Sequence, residues 1–217
     1  ALVAGLLLGV FYCFKRGTAA SLVACAALLS AAFMLTFVSV WIVPVLVAFE
    51  LITRRTLFRA VAVLAVVVLV YVAIYFASGF DLLRAFRTAS TIENEHGFML
   101  LHAPLDYFVS RLQGIAELIL FFGPFLTWLF VRSFRVRGSE LHLATCLALA
   151  SLVLMLAAGT FRVGETARAC NFLYPFLLLP IAAYVNEHGL SEAAKTQLCW
   201  LVFGQTVLMQ AAGSYFW

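Results

Sequence analysis

The sequence predicts an all-α fold: a polytopic bundle of transmembrane helices with about eight segments, two of them short and paired. Its composition and its long uncharged runs both point there. Of 217 residues, 65% are hydrophobic and only 11% are charged, against about 25% charged in a typical soluble domain. The mean hydropathy is +1.07. A water-soluble globule of this length would lack the polar surface to cover itself. Hydrocarbon is therefore the expected solvent for most of these side chains.

The elements follow from the N-terminus. Ala1–Phe14 is apolar and ends at Lys15-Arg16-Gly17. The next stretch, Gly17–Phe49, is uncharged for 33 residues. That is too long for one ordinary span, so it reads as two short helices, Thr18–Leu35 and Val38–Ile52, meeting near Thr36-Phe37. Cations flank both ends of this pair (Lys15, Arg16; Arg54, Arg55, Arg59). A hairpin puts both ends on one side of a membrane, and a single long helix does not. Pro44 is tolerable there because neighbouring groups can satisfy a freed carbonyl. Glu50 and Arg54 stand four apart and read as a helix-surface pair.

Five further runs are each long enough to span: Ala60–Phe80, Leu112–Val131 (interrupted only by Glu117), Leu141–Phe161, Ala169–Asn186 and Thr196–Trp217. They are too long for barrel strands and lack a period-2 alternation. Helices satisfy their own backbone groups and are the default in lipid. Gln205 and Gln210 read as polar glue between helices, and the aromatic end Tyr215-Phe216-Trp217 suits an interface. Residues 1–217 read as a single transmembrane domain. The chain opens inside an apolar segment without an initiator Met, so the C-terminal part of a longer protein is the expectation.

Alternation of the segments sets the sidedness. Lys15, Arg16, Arg54, Arg55, Arg59, Arg132, Arg135, Arg137 and Lys195 fall on one side, nine of the fourteen Lys and Arg residues. Arg84, Arg87, Arg111, Arg162 and Arg168 fall on the other. The bias places the first set in the cytoplasm and the loops 79–113 and 159–169 on the non-cytoplasmic side. The net charge of +4 comes from loop arginines. No basic face is interleaved with aromatics, so nucleic acid is not an expected partner. The five cysteines show no metal-ligand spacing, and no cofactor or metal is predicted.

The polar residues concentrate in the two outer loops. In the first, Phe80, Leu82, Leu83 and Phe86 among charged neighbours suggest a short amphipathic helix lying in the interface. Glu93, Glu95 and His96 together offer ligands for a divalent cation, although such residues are ordinary in a solvated loop. His102, beside Pro104, has the same two readings. In the second loop, Gly159 and Gly164 allow a tight reversal. Glu165 and Arg168 are three apart, so one reading is a local ion pair that starts the next span. The other is that Arg162 and Arg168 hold a phosphate, since the guanidinium fork matches phosphate oxygens and stays charged. Glu117 is the one carboxylate well inside an apolar run. It lines a cavity or makes an interhelical hydrogen bond that orients the bundle. His96, His102 and Arg111 are further cavity candidates.

Three features together resemble a known family. They are the paired short helices, the helix Tyr107…Glu117…Phe121-Phe122-Gly123-Pro124 behind a long outer loop, and Gly164-Glu165-Thr166-Ala167-Arg168…Phe172…Pro175. They look like the C-terminal membrane half of glycosyltransferases that use polyprenyl- or dolichyl-phosphate sugars, a C-type membrane fold that includes protein mannosyltransferases and arabinosyltransferases. The resemblance implies transfer of a sugar from a lipid phosphate to an acceptor at the outer or lumenal face. An acidic base deprotonates the acceptor, and arginines stabilise the departing phosphate. Arg162 and Arg168 match the second role, with Glu165 orienting them. The family's acidic motif is absent: the chain has no Asp-Asp, Asp-Glu or Asp-x-Asp. The implied base lies upstream of Ala1, in a missing N-terminal part that would be this chain's partner. A transporter or flippase and a non-catalytic membrane scaffold are the alternatives.

Overall fold

The computed structural model describes residues 2–93, 98–134, 140–159, 166–188 and 191–213, the side chains of Glu93, Ala167, Arg168, Asn171, Met209, Gln210, Ala212 and Gly213 excepted. Among the described residues the chain is helical throughout, with no strand. Helix α1 (Leu2–Arg16) ends in its two cations and turns at Gly17, whose φ of +67° suits glycine. The Thr18 hydroxyl then accepts from the Ser21 amide and caps α2 (Ala19–Leu35). Thr36 breaks the chain with φ near −162°, and a 3-10 turn, Phe37–Trp41, leads into α3 (Ile42–Arg54). Two short helices and a junction at Thr36 are present, but the second helix starts at Ile42 rather than Val38, and α2 packs on α1 and α4. Pro44 sits in the first turn of α3, where a missing N–H costs little.

Helix α4 (Phe58–Ser78) is apolar on all sides but buries only the stripe Ala60, Val63, Val67 and Tyr71. Its other faces expose Val61, Val68, Leu69, Val72 and Phe76, the last to 81%. This is the pattern of a helix whose remaining surface is suited to hydrocarbon. The amphipathic helix expected in the long loop is present as α5 (Leu82–Glu93), started by Asp81, which accepts from the Arg84 amide. Phe86 of α5 meets Phe37 edge to face. A short helix, α6 (Met99–His102), precedes α7 (Pro104–Phe122), α8 (Pro124–Ser133) and α9 (Glu140–Ala157). The chain closes with α10 (Thr166–Ala169), the 3-10 turn Cys170–Phe172, α11 (Tyr174–Glu187) and α12 (Glu192–Gly213). The core lies where α1 packs on α2 and α11, α3 on α9, and α9 on α11. Phe11 sits edge to face with both Phe49 and Phe176 at its centre.

Three helical stretches are long and apolar enough to cross a membrane: Phe37–Arg54, Phe58–Ser78 and Glu140–Ala157. Counting the bent pair α7–α8 as one span makes four. The structure therefore supports fewer spans by length and composition than the eight read from sequence. Helices α1, α2 and α11 have 15, 17 and 14 residues, and 15 residues rise only about 22 Å against about 30 Å of hydrocarbon. Helix α12 is long enough, but it carries Lys195, Thr196, Gln197, Gln205 and Thr206. The run Leu112–Val131 is not one straight span. It breaks at Gly123, and the two halves meet at 93°. Gly123 has φ +91° and is followed by Pro124, which starts the second half.

Glu50 corrects a second reading. It does not pair with Arg54 along the helix surface. Its carboxylate is fully buried and accepts from the Ala60 amide (2.7 Å), the Arg59 amide (2.9 Å) and the Thr56 hydroxyl (3.1 Å). It thereby caps α4 from α3. Arg54 reaches instead to the Lys15 carbonyl at 3.3 Å. The helix N-terminus, with its unsatisfied N–H groups, is a better partner for a buried carboxylate than a solvated guanidinium. Glu50→Ala is expected to leave two amides without acceptors and lower stability by about 2–4 kcal/mol. Thermal unfolding in detergent, followed with a thiol dye that reaches buried Cys25 and Cys170 only on opening, measures this. A melting temperature equal to wild type would show that Glu50 does not hold α3 to α4.

Candidate functional site: the break between α7 and α8

Helix α7 gathers most of the candidate residues that are described. Tyr107, Ser110, Gly114 and Leu118 form its buried stripe at helical spacing. The Tyr107 hydroxyl lies 3.0 Å from both the Leu156 and the Ala157 carbonyls at the end of α9, the first of which also accepts from the Gly159 amide. Further along α7, the Glu117 carboxylate accepts from the Thr166 amide at 3.2 Å. Thr166 packs so closely on Gly114 that a Cβ there would lie 2.9 Å from its hydroxyl. The two flanks of segment 160–165 are thus fastened to one helix, ten residues apart, or about 15 Å along its axis.

This arrangement shows which site residues meet. Of the two readings of Glu117, the interhelical hydrogen bond is present. Glu117 lies near the end of α7, five residues before Phe122. The flank at Thr166 therefore reaches well down α7, whereas Gly159, with φ +77°, turns at the level of Phe98. Phe98 also packs edge to face on Tyr107, which brings the two loops together at one end of the bundle. Arg111 stacks over the Tyr107 ring at 4.9 Å and is half-buried. His102 is exposed on α6 and joins none of the bonds around Glu117. His96, Arg162 and Glu165 lie outside the described residues, as do the side chains of Glu93 and Arg168 and the proposed Glu165–Arg168 pair. Among the described residues, no group of three or more His, Cys, Asp or Glu is placed to hold a metal ion.

The break itself is bridged by one side chain. Gln205 of α12 accepts from the Phe125 amide at 3.0 Å and reaches the Phe122 carbonyl at 3.4 Å. One amide so serves the last carbonyl of α7 and an early N–H of α8. A Cβ on Gly123 would lie 1.6 Å from the Gln205 side-chain nitrogen and displace that bridge, and the φ of +91° would strain any other residue. Cys170 and the Tyr174 hydroxyl lie within electrostatic reach of Glu117. Tyr174 stacks on Phe122. Sequence reasoning read Gln205 as helix glue but missed its target. The Gly123-Pro124 pair was the available signal, because it marks a helix end and a helix start. Tyr107 had no comparable signal, since its partner carbonyls lie 49 and 50 residues away.

No protein-family model, curated protein or solved structure matches this chain.

Two substitutions test the arrangement. Tyr107→Phe keeps the ring and removes the hydroxyl, at a cost of about 1 kcal/mol. It is expected to speed hydrogen exchange of the Ala158 and Gly159 amides at the end of α9, and unchanged exchange would disprove the anchor. Gly123→Ala and Gln205→Ala should each lower the melting temperature, and the double variant by less than the sum, because both disturb one bridge. Strict additivity would show the two positions to be independent.

Proposed function

We propose that this chain is the membrane part of a glycosyltransferase that moves a sugar from a polyprenyl- or dolichyl-phosphate donor to an acceptor at the non-cytoplasmic face. In this reading eight segments cross or enter the bilayer: α1, α2, Phe37–Arg54, α4, the bent pair α7–α8, α9, α10–α11 and α12. The loops 79–113 and 159–169 face away from the cytoplasm. The single observation that carries it is the anchoring of both flanks of segment 160–165 to α7 by Tyr107 and Glu117. A loop so held would present Arg162, Glu165 and Arg168 from a fixed base, next to a helix that itself carries Arg111. Preorganised cations are what a leaving phosphate requires, because they need no rearrangement as its charge develops.

The chemistry assigned to this chain is the phosphate side of the transfer. The acceptor oxygen bonds to the anomeric carbon, the bond from that carbon to the phosphate oxygen breaks, and the acceptor proton passes to a carboxylate base. Arg162 and Arg168 stabilise the negative charge on the released lipid phosphate as bidentate donors. Glu165 orients them. The full-length protein carrying Arg162→Gln or Arg168→Gln should release lipid phosphate from a polyprenyl-phosphate sugar roughly 100-fold more slowly than wild type. Turnover within about twofold of wild type in both variants would remove the arginines from the mechanism.

The 93° break at Gly123 favours a second reading, a transporter or flippase. Transporters place substrate at interrupted helices, and this break lies close to Glu117. Flipping of a fluorescent polyprenyl phosphate in vesicles, without transfer of its sugar, would select this reading over the first.

A further inference from the structure

The opposite end of the bundle collects cations that the proposed transfer does not use. The turn between α1 and α2 carries Lys15, Arg16 and Gly17, and the turn between α3 and α4 carries Arg54, Arg55 and Arg59. Three contacts draw the turns and the start of α9 together. Arg54 donates to the Lys15 carbonyl at 3.3 Å. Lys15 pairs with Glu140 at 2.8 Å. The Arg59 guanidinium packs against Gly17, where a Cβ would come within 1.5 Å of its Nη1.

Five cations thus meet two described carboxylates, and neither carboxylate neutralises the arginines. Glu50 is spent on Thr56 and on the α4 amides. Glu140 is taken by Lys15. Among the described residues Arg59 Nη1 is buried and has no hydrogen-bond acceptor. A buried guanidinium N–H without an acceptor costs free energy that an anionic oxygen would recover.

The surroundings define the anion. The stretch Leu51-Ile52-Thr53-Arg54-Arg55-Thr56-Leu57-Phe58 is exposed along its whole length, with apolar pairs on both sides of the arginines. Phe58 is 77% exposed, and Tyr12, one turn before Lys15 and Arg16, is 63% exposed. A free phosphate has no use for that apolar rim, whereas an amphiphile places acyl carbons there and its phosphate among the guanidinium forks.

We infer that the α1–α2 and α3–α4 turns form a headgroup site for an anionic phospholipid, with Arg54, Arg55, Arg59 and Arg16 as donors. This site rests on the membrane placement proposed above but not on the transferase chemistry. Its phosphate binds at the end of the bundle away from Tyr107 and segment 160–165. It gives the basic turns a second task beyond orienting the chain.

The test uses the full-length protein in mild detergent, titrated with phosphatidylglycerol or phosphatidylcholine and read by native mass spectrometry of retained lipid. The expected result is tighter retention of phosphatidylglycerol, a preference that weakens as salt is raised. Arg16→Gln with Arg55→Gln, at two exposed positions, should weaken retention by about fivefold per cation removed. Arg59→Lys keeps the charge but loses the fork, and it should weaken retention while leaving the salt dependence in place. Equal retention of the two lipids, or a preference untouched by the double substitution, overturns the site. Full competition by millimolar inorganic phosphate also overturns it, because the ligand would then be a soluble anion. A chain that stays in water without detergent or lipid would overturn the membrane placement together with this site, whereas loss of headgroup preference alone leaves the placement standing.

Discussion

Backbone groups freed where these helices start, stop and bend have to be satisfied by side chains from distant parts of the chain, because apolar surroundings supply few other partners. Most of the long-range polar contacts follow from this constraint. Glu50 serves the amides that begin α4. Tyr107 serves the carbonyls that end α9. Gln205 serves both sides of the α7–α8 break. Pro180 has no N–H to give to the Phe176 carbonyl four residues earlier, and Thr145 of α9 donates to that carbonyl at 2.8 Å instead. Glu117 takes the first amide of α10. Each bond sets the distance and rotation between two helices whose apolar faces would otherwise slide with little penalty.

The same constraint shapes the proposed site. Segment 160–165 links two elements that are both tied to α7, so the tyrosine and the glutamate fix its base whatever the loop itself carries. Both are far in sequence from what they hold. At the other end, Glu50 sets the α3–α4 turn, and the Arg59 guanidinium closes over Gly17 because that glycine leaves room for it. The two ends therefore use one logic. At each end a side chain fixes the backbone beside a turn.

Much of the fold was legible in the sequence. The Thr36 break, the two short helices around it and the amphipathic α5 were all read from charge placement and apolar pattern, and each is present. These are local features, set by residues within a turn or two of one another. The run from 112 to 131 was read as one span, and its bend at Gly123 was not foreseen because hydropathy continues across that residue and carries no information on direction. Glu50 was assigned to Arg54 because the two are neighbours on one helix, while its true partners begin the next helix. Of the site, Glu117 was singled out as the one carboxylate inside an apolar run, and of its two readings the interhelical hydrogen bond is present. Its partner Thr166 could not be read, because a backbone amide leaves no mark in residue type.

The sequence by itself determined that the chain is helical, that most of its residues are apolar and that its charges are largely kept out of the long apolar runs. Those properties depend on composition and on spacing along one helix. Tertiary structure alone decided where α7 turns by 93°, which carbonyls Tyr107 and Thr145 complete, and that Arg59 shares a corner with Gly17. Those outcomes depend on which helices come within hydrogen-bonding distance. In a chain this uniformly apolar, a handful of polar side chains decides that, and the partners of Tyr107, Thr145 and Gln205 lie 31 to 83 residues away.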